Sequence, residues 1–281
     1  MFLSIIVPTC NRNDLLKLCL QLLSPQSQTF DPNNYEVIVT DDSKMDAAKS
    51  MIEKEFPWAK WVAGPKRGPA ANRNNGVKSA KGEWFVFFDD DCLPNKNILS
   101  IYDRAITEHG NISVFEGSIR ADREQQSLIE ESPINYNGGY LWACNFMIKK
   151  QVFINKLNGF DENFPFASME DVDLHYRLQK LDIECLFLPE AQVIHPWRLQ
   201  KKLLSITMKR YKSTLYFLKK HPERKKDING AFYLRAFYHS FFKQTIGKSI
   251  AYRFSGFPQK VANDILHLYL AAHLLYHNRN I

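Results

Sequence analysis

Glu83-Trp84-Phe85-Val86-Phe87-Phe88-Asp89-Asp90-Asp91 is the stretch on which the reading of this chain turns. Its apolar part is short, aromatic and β-prone, so it predicts a buried strand that delivers the three aspartates to its carboxyl end. Carboxylates crowded in this way repel one another unless water, a cation or a basic side chain screens them. Hard oxygen ligands at a strand end suit Mg²⁺ or Mn²⁺. A solvated acidic turn ahead of Pro94 is the ordinary alternative, and the surrounding sequence has to decide.

Working outward, strands and helices alternate. Leu3–Val7 reads as a strand, 14–23 as a helix, Tyr35–Thr40 as a strand and 46–56 as a helix. A strand at Lys60–Ala63, a helix over 70–79, the Glu83–Phe88 strand and a helix over 97–109 follow. Repeated βα alternation implies an α/β fold with a mostly parallel sheet covered on both faces, and ligands of such sheets sit beyond the carboxyl ends of the strands. Those ends carry Thr9 and Arg12, then Asp41-Asp42-Ser43, then Asp89-Asp90-Asp91, so a nucleotide crevice is expected there. The segment Gly68-Pro69-Ala70-Ala71-Asn72-Arg73-Asn74-Asn75-Gly76 adds small residues at a helix start and an arginine able to pair with a carboxylate or phosphate. It matches neither the dinucleotide fingerprint nor the phosphate loop, which counts against hydride transfer and nucleotide hydrolysis.

Composition narrows the class further. With 281 residues and 45% hydrophobic content, the chain can bury a sizeable core. Five scattered cysteines with no paired spacing argue against a disulfide framework or zinc site and fit a reducing cytoplasm. Met1–Pro8 reads as a first strand instead of a signal peptide, and the best apolar stretch, 265–276, is too short to span a membrane. Charge divides sharply: residues 1–197 carry 20 Lys and Arg against 27 Asp and Glu, net −7, whereas residues 198–281 carry 17 against 3, net +14. A boundary is therefore expected near Pro196.

Ser4-Ile5-Ile6-Val7-Pro8-Thr9-Cys10-Asn11-Arg12, Val37-Ile38-Val39-Thr40-Asp41-Asp42-Ser43, the Gly68–Gly76 segment and Phe88-Asp89-Asp90-Asp91 together resemble, in order and spacing, the family-2 inverting glycosyltransferases of the GT-A fold, non-processive and of the bacterial glycan-assembly type. The resemblance covers about residues 3–196. Asn72 stands where the family has alanine, and Ser43 where a glycine usually follows the aspartate pair. The family implies a Rossmann-like, mostly parallel central sheet flanked by helices, here with a helical carboxyl-terminal extension. It divides the chain into a glycosyltransferase domain over 1–197, with a nucleotide-sugar half to about 118 and an acceptor half after it, and a helical region over 198–281. The implied roles are residue by residue. Thr9 and Asp42 would hold the base and ribose of a nucleotide-sugar, a UDP-sugar being favoured, with Arg12, Asp41 and Arg73 beside them. Asp91 would ligate Mn²⁺ or Mg²⁺ bridging the diphosphate, and Asp89 and Asp90 would contact ribose, metal or metal-bound water. A metal suits this chemistry because charge builds on the departing diphosphate.

The acceptor half must then supply a base. Gly159-Phe160-Asp161-Glu162 and Met169-Glu170-Asp171-Val172-Asp173 resemble the family's acceptor loop and its Glu-Asp motif at a helix start. Inversion requires a carboxylate to take the acceptor hydroxyl's proton as it attacks opposite the leaving group, and Asp171 is the candidate. Glu170 is assigned to acceptor binding or loop orientation and Asp161 to acceptor binding, and ordinary first-turn capping is the alternative for Glu170-Asp171. His195, at the end of an expected strand over 191–194, is either a third metal ligand or a structural histidine. The stretch 140–145 reads as a strand near the sugar, with Trp142 either stacking on a sugar face or filling the core, and Asn145 as a hydroxyl contact. Residues 120–137 read as a mobile loop closing over the donor.

Beyond residue 198 the pattern is helical. Leu204, Met208, Tyr211, Leu215 and Leu218 predict one apolar face, with Lys202, Lys209 and Lys212 around the other side. Solvated lysines on covering helices are the plain interpretation. The functional one is peripheral attachment to an anionic membrane, on the cytoplasmic face of the inner membrane, which suits a lipid-linked glycan acceptor. The aromatic helices could equally pair across a homodimer. Nucleic-acid binding is not expected, since no recognition module is visible. Two other classes are weighed against the enzyme: a catalytically silent glycan-binding scaffold, disfavoured by Asp91 and Asp171, and a sugar nucleotidyltransferase, disfavoured by the absence of an early Gly-rich phosphate loop.

Overall fold

A computed structural model describes residues 1–45 and 47–277, which fall into two compact units. The first comprises Met1–Asp122, Pro133–Asn163 and Glu170–Pro196; the second comprises Arg123–Ser132, Phe164–Met169 and the described part of Trp197–Ile281.

In the first unit β1 (Leu3–Thr9), β2 (Tyr35–Asp41), β3 (Lys60–Ala63) and β4 (Trp84–Phe88) run parallel in the spatial order β3-β2-β1-β4. They are connected through α1 (Asn13–Leu23), α2 (Lys49–Glu55) and α3 (Pro69–Lys78). Asp46, where the second helix was expected to begin, lies outside the described residues. Thr9 pairs in register with Asp41, so the carboxyl ends of β1 and β2 finish level. After β5 (Leu93–Pro94) and α4 (Ile98–Glu108) come β6 (Val114–Ala121), β8 (Asn145–Lys149), α5 (Glu170–Lys180) and β9 (Cys185–His195), which complete an eight-stranded sheet in the order β3-β2-β1-β4-β8-β6-β9-β5. The sheet as a whole is mixed, because β8 runs antiparallel to both β4 and β6.

Strand residues alternate between two cores. Leu3, Ile5 and Val7 pack with Leu16, Leu20 and Leu23 of α1 and Leu99 of α4 on one side. Ile6, Phe85 and Phe87 pack with Phe146, Phe153, Phe160 and Leu174 on the other. Burial on both faces explains why these strands read as unbroken apolar runs. Phe87 anchors the second core, stacked on Phe146 at 4.8 Å and edge-on to Phe160 at 5.5 Å.

The strand expected over 140–145 begins only at Asn145. Gly138, Gly139 and Leu141 take positive φ, and the N–H groups of Gly139, Tyr140 and Leu141 donate to the carboxylate of Glu116 at 2.6–3.0 Å instead of to a neighbouring strand. Asn135 Nδ2 donates to the same carboxylate at 2.7 Å, while the backbone of Asn135 bridges Ile119. Within the segment 120–137, read from sequence as a mobile loop, Asn135 is thus tied to β6. Glu116→Gln would place an NH₂ against these donors. It should lower stability by roughly 2–4 kcal/mol, read as a shift in denaturant midpoint at unchanged slope; no shift would remove Glu116 as the anchor of this loop.

In the second unit β7 (Glu130–Glu131) pairs antiparallel with β10 (Arg198–Leu199). The helices are α6 (Leu203–Lys220), α7 (Gly230–Tyr238) running into a wider helical turn over His239–Ile246, α8 (Gly247–Ser249) and α9 (Phe257–His277). The buried residues of α6 are Leu203, Thr207, Tyr211, Ser213, Thr214, Phe217 and Leu218, so the expected stripe is offset at its start and Leu204 lies outside. Polar residues can occupy that face because they find partners on α9: Thr207 Oγ1 donates to Asn263 Oδ1 at 2.6 Å, and Tyr211 Oη lies 2.6 Å from His273 Nδ1. Among the described residues no helix is long and apolar enough to cross a membrane.

Candidate active site

The site is built at the carboxyl ends of β1, β2 and β4. Gly68, at φ 92°, turns the chain so that Pro69 starts α3. The helix buries polar side chains against the strand ends. Asn72 accepts from Thr40 Oγ1 at 2.6 Å and donates to the carbonyl of Thr40 at 2.8 Å, tying α3 to β2. Asn74 bonds both backbone groups of Phe160, donating to its oxygen at 2.8 Å and accepting from its nitrogen at 2.9 Å. Gly159 permits this approach: its φ is +72°, and an added Cβ would stand 2.6 Å from Asn74 Oδ1.

Arg73, nearly buried, is the central connector. Its Nη2 meets Asp89 Oδ1 at 2.6 Å, its Nη1 stands 3.4 Å from Glu170 Oε1, and its guanidinium lies over Phe160 at 5.6 Å. Burial opposes ionisation of Asp89, but the Arg73 charge outweighs it and holds the carboxyl below its usual range. Arg73 Nε and Glu170 Oε2 are buried without a hydrogen-bond partner, the mark of a site not satisfied by the protein alone.

Asp89, Asp91 and His195 each offer a ligand atom, all within 4.8 Å of one another. That span is close to the roughly 4.2 Å between opposite ligands of a Mg²⁺-sized ion. His195 Nδ1 lies 3.1 Å from the carbonyl of Pro196, which leaves Nε2 directed at Asp91 Oδ1, 3.4 Å away. Burial lowers the His195 pKa, favouring the neutral imidazole a metal needs. Two carboxylates and a neutral imidazole fit Mn²⁺ or Mg²⁺.

Asp90 is turned to other partners. It is fully buried, accepts from Thr9 Oγ1 at 2.7 Å and Arg12 Nε at 3.0 Å, and pairs with Arg12 Nη2 at 2.6 Å. Thr9 and Asp90 thus tie the ends of β1 and β4 together, and Arg12 also approaches Asp91 at 3.8 Å. Asp42 accepts from the backbone of Lys66 and Gly68 at 2.7 and 2.9 Å, organising the loop that leads into α3. Asp41 differs from expectation: fully buried, it accepts from Ser43 N and Ala48 N at 2.9 and 3.0 Å and shapes the turn after β2.

Glu170 and Asp171 open α5. Burial pushes the Glu170 carboxyl up to about 7, with the neighbouring Asp171 charge adding to it. Burial also raises Asp171, against the hydrogen bond that Val172 N donates to it at 2.8 Å. Asp173 holds the helix in place through Arg177 at 2.8 Å, and Arg177 in turn donates to the carbonyl of Gly159 at 2.9 Å. Trp142 lies 4.8 Å from Tyr140 and packs, partly buried, against the first core, whereas Tyr140 is half exposed. Asn145 is fully buried, donates to the carbonyls of Ser118 and Ala191 at 2.9 and 2.8 Å, and accepts from Tyr102 at 2.8 Å. A Cβ on Gly117 would collide with it, which places it against the bulge of β6. Asp161 spends its Oδ1 on Asn163 N and Nδ2, at 3.0 and 2.9 Å, in a local turn.

Glu116 and Arg177 carry no signal in the sequence, while Asn72 stands out there only as a departure from the family pattern and Asn74 only as part of the Gly68–Gly76 segment.

Residues 4–157, more than half the chain, match the family model described as Glycosyl transferase family 2. Over 145 residues the chain is 40% identical to a GalNAc(5)-diNAcBac-PP-undecaprenol beta-1,3-glucosyltransferase of Campylobacter jejuni, covering 47% of this chain and 45% of that one. The chain thus spans about half the length of this curated relative. Among solved structures, Staphylococcus aureus TarS 1-349 in complex with UDP-GlcNAc superposes with a TM-score of 0.59 at 20% identity, covering 95% of this chain and 82% of that one. A mannosyltransferase of Pyrobaculum calidifontis in complex with GDP-Man and Mn²⁺ gives 0.52 at 16% identity, covering 99% and 75%. These likenesses show the GT-A fold.

Proposed function

The chain belongs to glycosyl transferase family 2, and on that premise we propose that it is an inverting, metal-dependent glycosyltransferase that moves a sugar from a UDP-sugar to a hydroxyl of a lipid-linked glycan. The observation that carries the reading is the Asp89–Arg73–Glu170 bridge, which joins the carboxylate end of β4 to the start of α5. One buried cation thereby links the carboxylates suited to a metal with those suited to proton transfer, which supports their acting on one substrate.

Asp89, Asp91 and His195 would hold the metal, whose chemistry is to neutralise charge on the leaving diphosphate. Asp42 and the loop it organises border the nucleotide, each oxygen keeping a lone pair beyond its backbone bond. Arg12 adds positive charge beside Asp90 and Asp91. Asp171 takes the proton of the acceptor hydroxyl. Glu170, held by Arg73, orients the acceptor and the start of α5, while Tyr140 and Trp142 offer an aromatic face to a sugar. The undecaprenol in the name of the Campylobacter relative and the UDP-sugar of the TarS complex support these choices of acceptor and donor class. An enzyme with such an acceptor works at a membrane surface, here peripherally and on the cytoplasmic side of the inner membrane.

Calorimetric titration with UDP, GDP and dTDP, each with and without Mn²⁺, tests the reading. Binding of UDP that requires Mn²⁺ is expected. Equal binding without metal would remove the metal from the mechanism, and no binding of any nucleotide would count against the transferase itself.

A further inference from the structure

Between Tyr238 and Phe254 the second unit wears its helical pattern inside out. Thr245 and Ser249 are buried, and Ser240 and Thr245 both donate at 2.5 Å to the carboxylate of Asp264 on α9, which is fully buried. Lys260 pairs with the same carboxylate at 2.8 Å, and Tyr252 donates to Gln125 Oε1 at 3.1 Å. The inward side of this segment is therefore polar and satisfied. The outward side is apolar: Tyr238 is 60% exposed, Phe242 50%, Ile246 48%, Ile250 80% and Phe254 56%. Tyr238, Phe242 and Ile246 lie along the helical turns that end at Ile246, the first two with rings 5.0 Å apart, and Ile250 and Phe254 lie in the turns that follow Ser249. Water alone would favour the opposite arrangement, because burying such side chains is the main drive to folding.

The charge around the stripe says what covers it. Residues 228–263 contain Arg235, Lys243, Lys248, Arg253 and Lys260 and no Asp or Glu, and Arg235, Lys243 and Arg253 are exposed. We propose that the Tyr238–Phe254 stripe inserts into the interfacial layer of an anionic bilayer, with Lys243, Lys248 and Arg253 meeting the lipid headgroups. The anchor is thus this apolar face, and not the basic side of α6. A second copy fits worse, since pairing the face with itself brings like charges together with no acidic residue to offset them.

The proposal rests on the reading of a lipid-linked acceptor, but vesicle binding is measured without donor or acceptor, so its failure is separate from failure of the transferase reading. The full chain is sedimented with vesicles of phosphatidylcholine containing phosphatidylglycerol, and with phosphatidylcholine alone. Binding to the anionic vesicles is expected, weakened but not abolished by high salt. Combined Phe242→Ser, Ile246→Ser and Ile250→Ser should weaken it roughly 100-fold while the chain still unfolds in one cooperative transition at a modestly lower Tm, since Ile250 is 80% exposed and the other two are about half exposed. Independently, Ile250→Trp should add a fluorescence that shifts to the blue on anionic vesicles and is quenched by brominated lipid. No vesicle binding by the parent, equal binding by the triple variant, or no shift in Ile250→Trp overturns the proposal. So does a parent dimer that the triple variant makes monomeric while Ile250→Trp ignores vesicles.

Discussion

Asp171→Asn should lower the rate of sugar transfer roughly 10³-fold or more while leaving the affinity for UDP unchanged. The amide keeps the shape of the side chain and can still accept from Val172 N, so the start of α5 should hold. What it loses is basicity, needed only as the acceptor hydroxyl attacks. A group that acts only in the transition state lowers kcat and kcat/KM together and leaves donor binding alone. The pH profile sharpens the assignment. Burial raises the Asp171 pKa, and a carboxyl accepts a proton only when ionised. Transfer should therefore fall as the pH drops through that raised value and level off above it. Glu170, raised to about 7 beside it, is coupled to the same titration, so the acid limb belongs to the pair. Normal transfer by Asp171→Asn would end its candidacy as the base. Transfer lost in Glu170→Gln but retained in Asp171→Asn would hand the role to Glu170.

The second large effect is expected at Asp91. Asp91→Ala should weaken Mn²⁺-dependent UDP binding by at least roughly 100-fold, since even partners behind a metal's own ligands commonly account for 10- to 100-fold. Asp91 is nearly buried and faces His195 Nε2 at 3.4 Å, so its loss removes one ligand and the neighbour of another. Without metal, where the parent is expected to bind UDP weakly at most, the variant should be no weaker, because Asp42 and its loop are untouched. Full Mn²⁺ dependence in Asp91→Ala would show that the metal, if used, is held elsewhere.

The first unit was legible because local pattern and tertiary role agree. The run 84–88 reads as a strand and is one, buried on both faces, and α3 begins where the Gly68-Pro69 turn says a helix can start. The expectation for 140–145 failed because it weighed apolar character alone. Backbone N–H groups of that stretch are claimed by Glu116, a lone acid in an apolar strand whose partners lie 19 to 25 residues away. The helical face of α6 shifted for a related reason: Thr207 and Tyr211 are buried through partners on α9, which no periodicity within α6 can reveal.

By itself, the sequence determined the parallel strands, the placing of Asp42, Arg73, Asp89 and Asp91 at strand ends and a helix start, and the electrostatic contrast between the first 197 residues and the rest, because each follows from side-chain period, turn chemistry or charge count. Tertiary structure alone decided which carboxylates share a site and which are consumed by the scaffold. Asp41 and Asp42 are neighbours in the chain, yet one is buried in a turn and the other caps a loop. Asp90 lies between Asp89 and Asp91, yet it is taken by Thr9 and Arg12 while they gather with His195. The physical reason is that a carboxylate's role is set by which donors reach its oxygens, and those donors come from parts of the chain that only folding brings together.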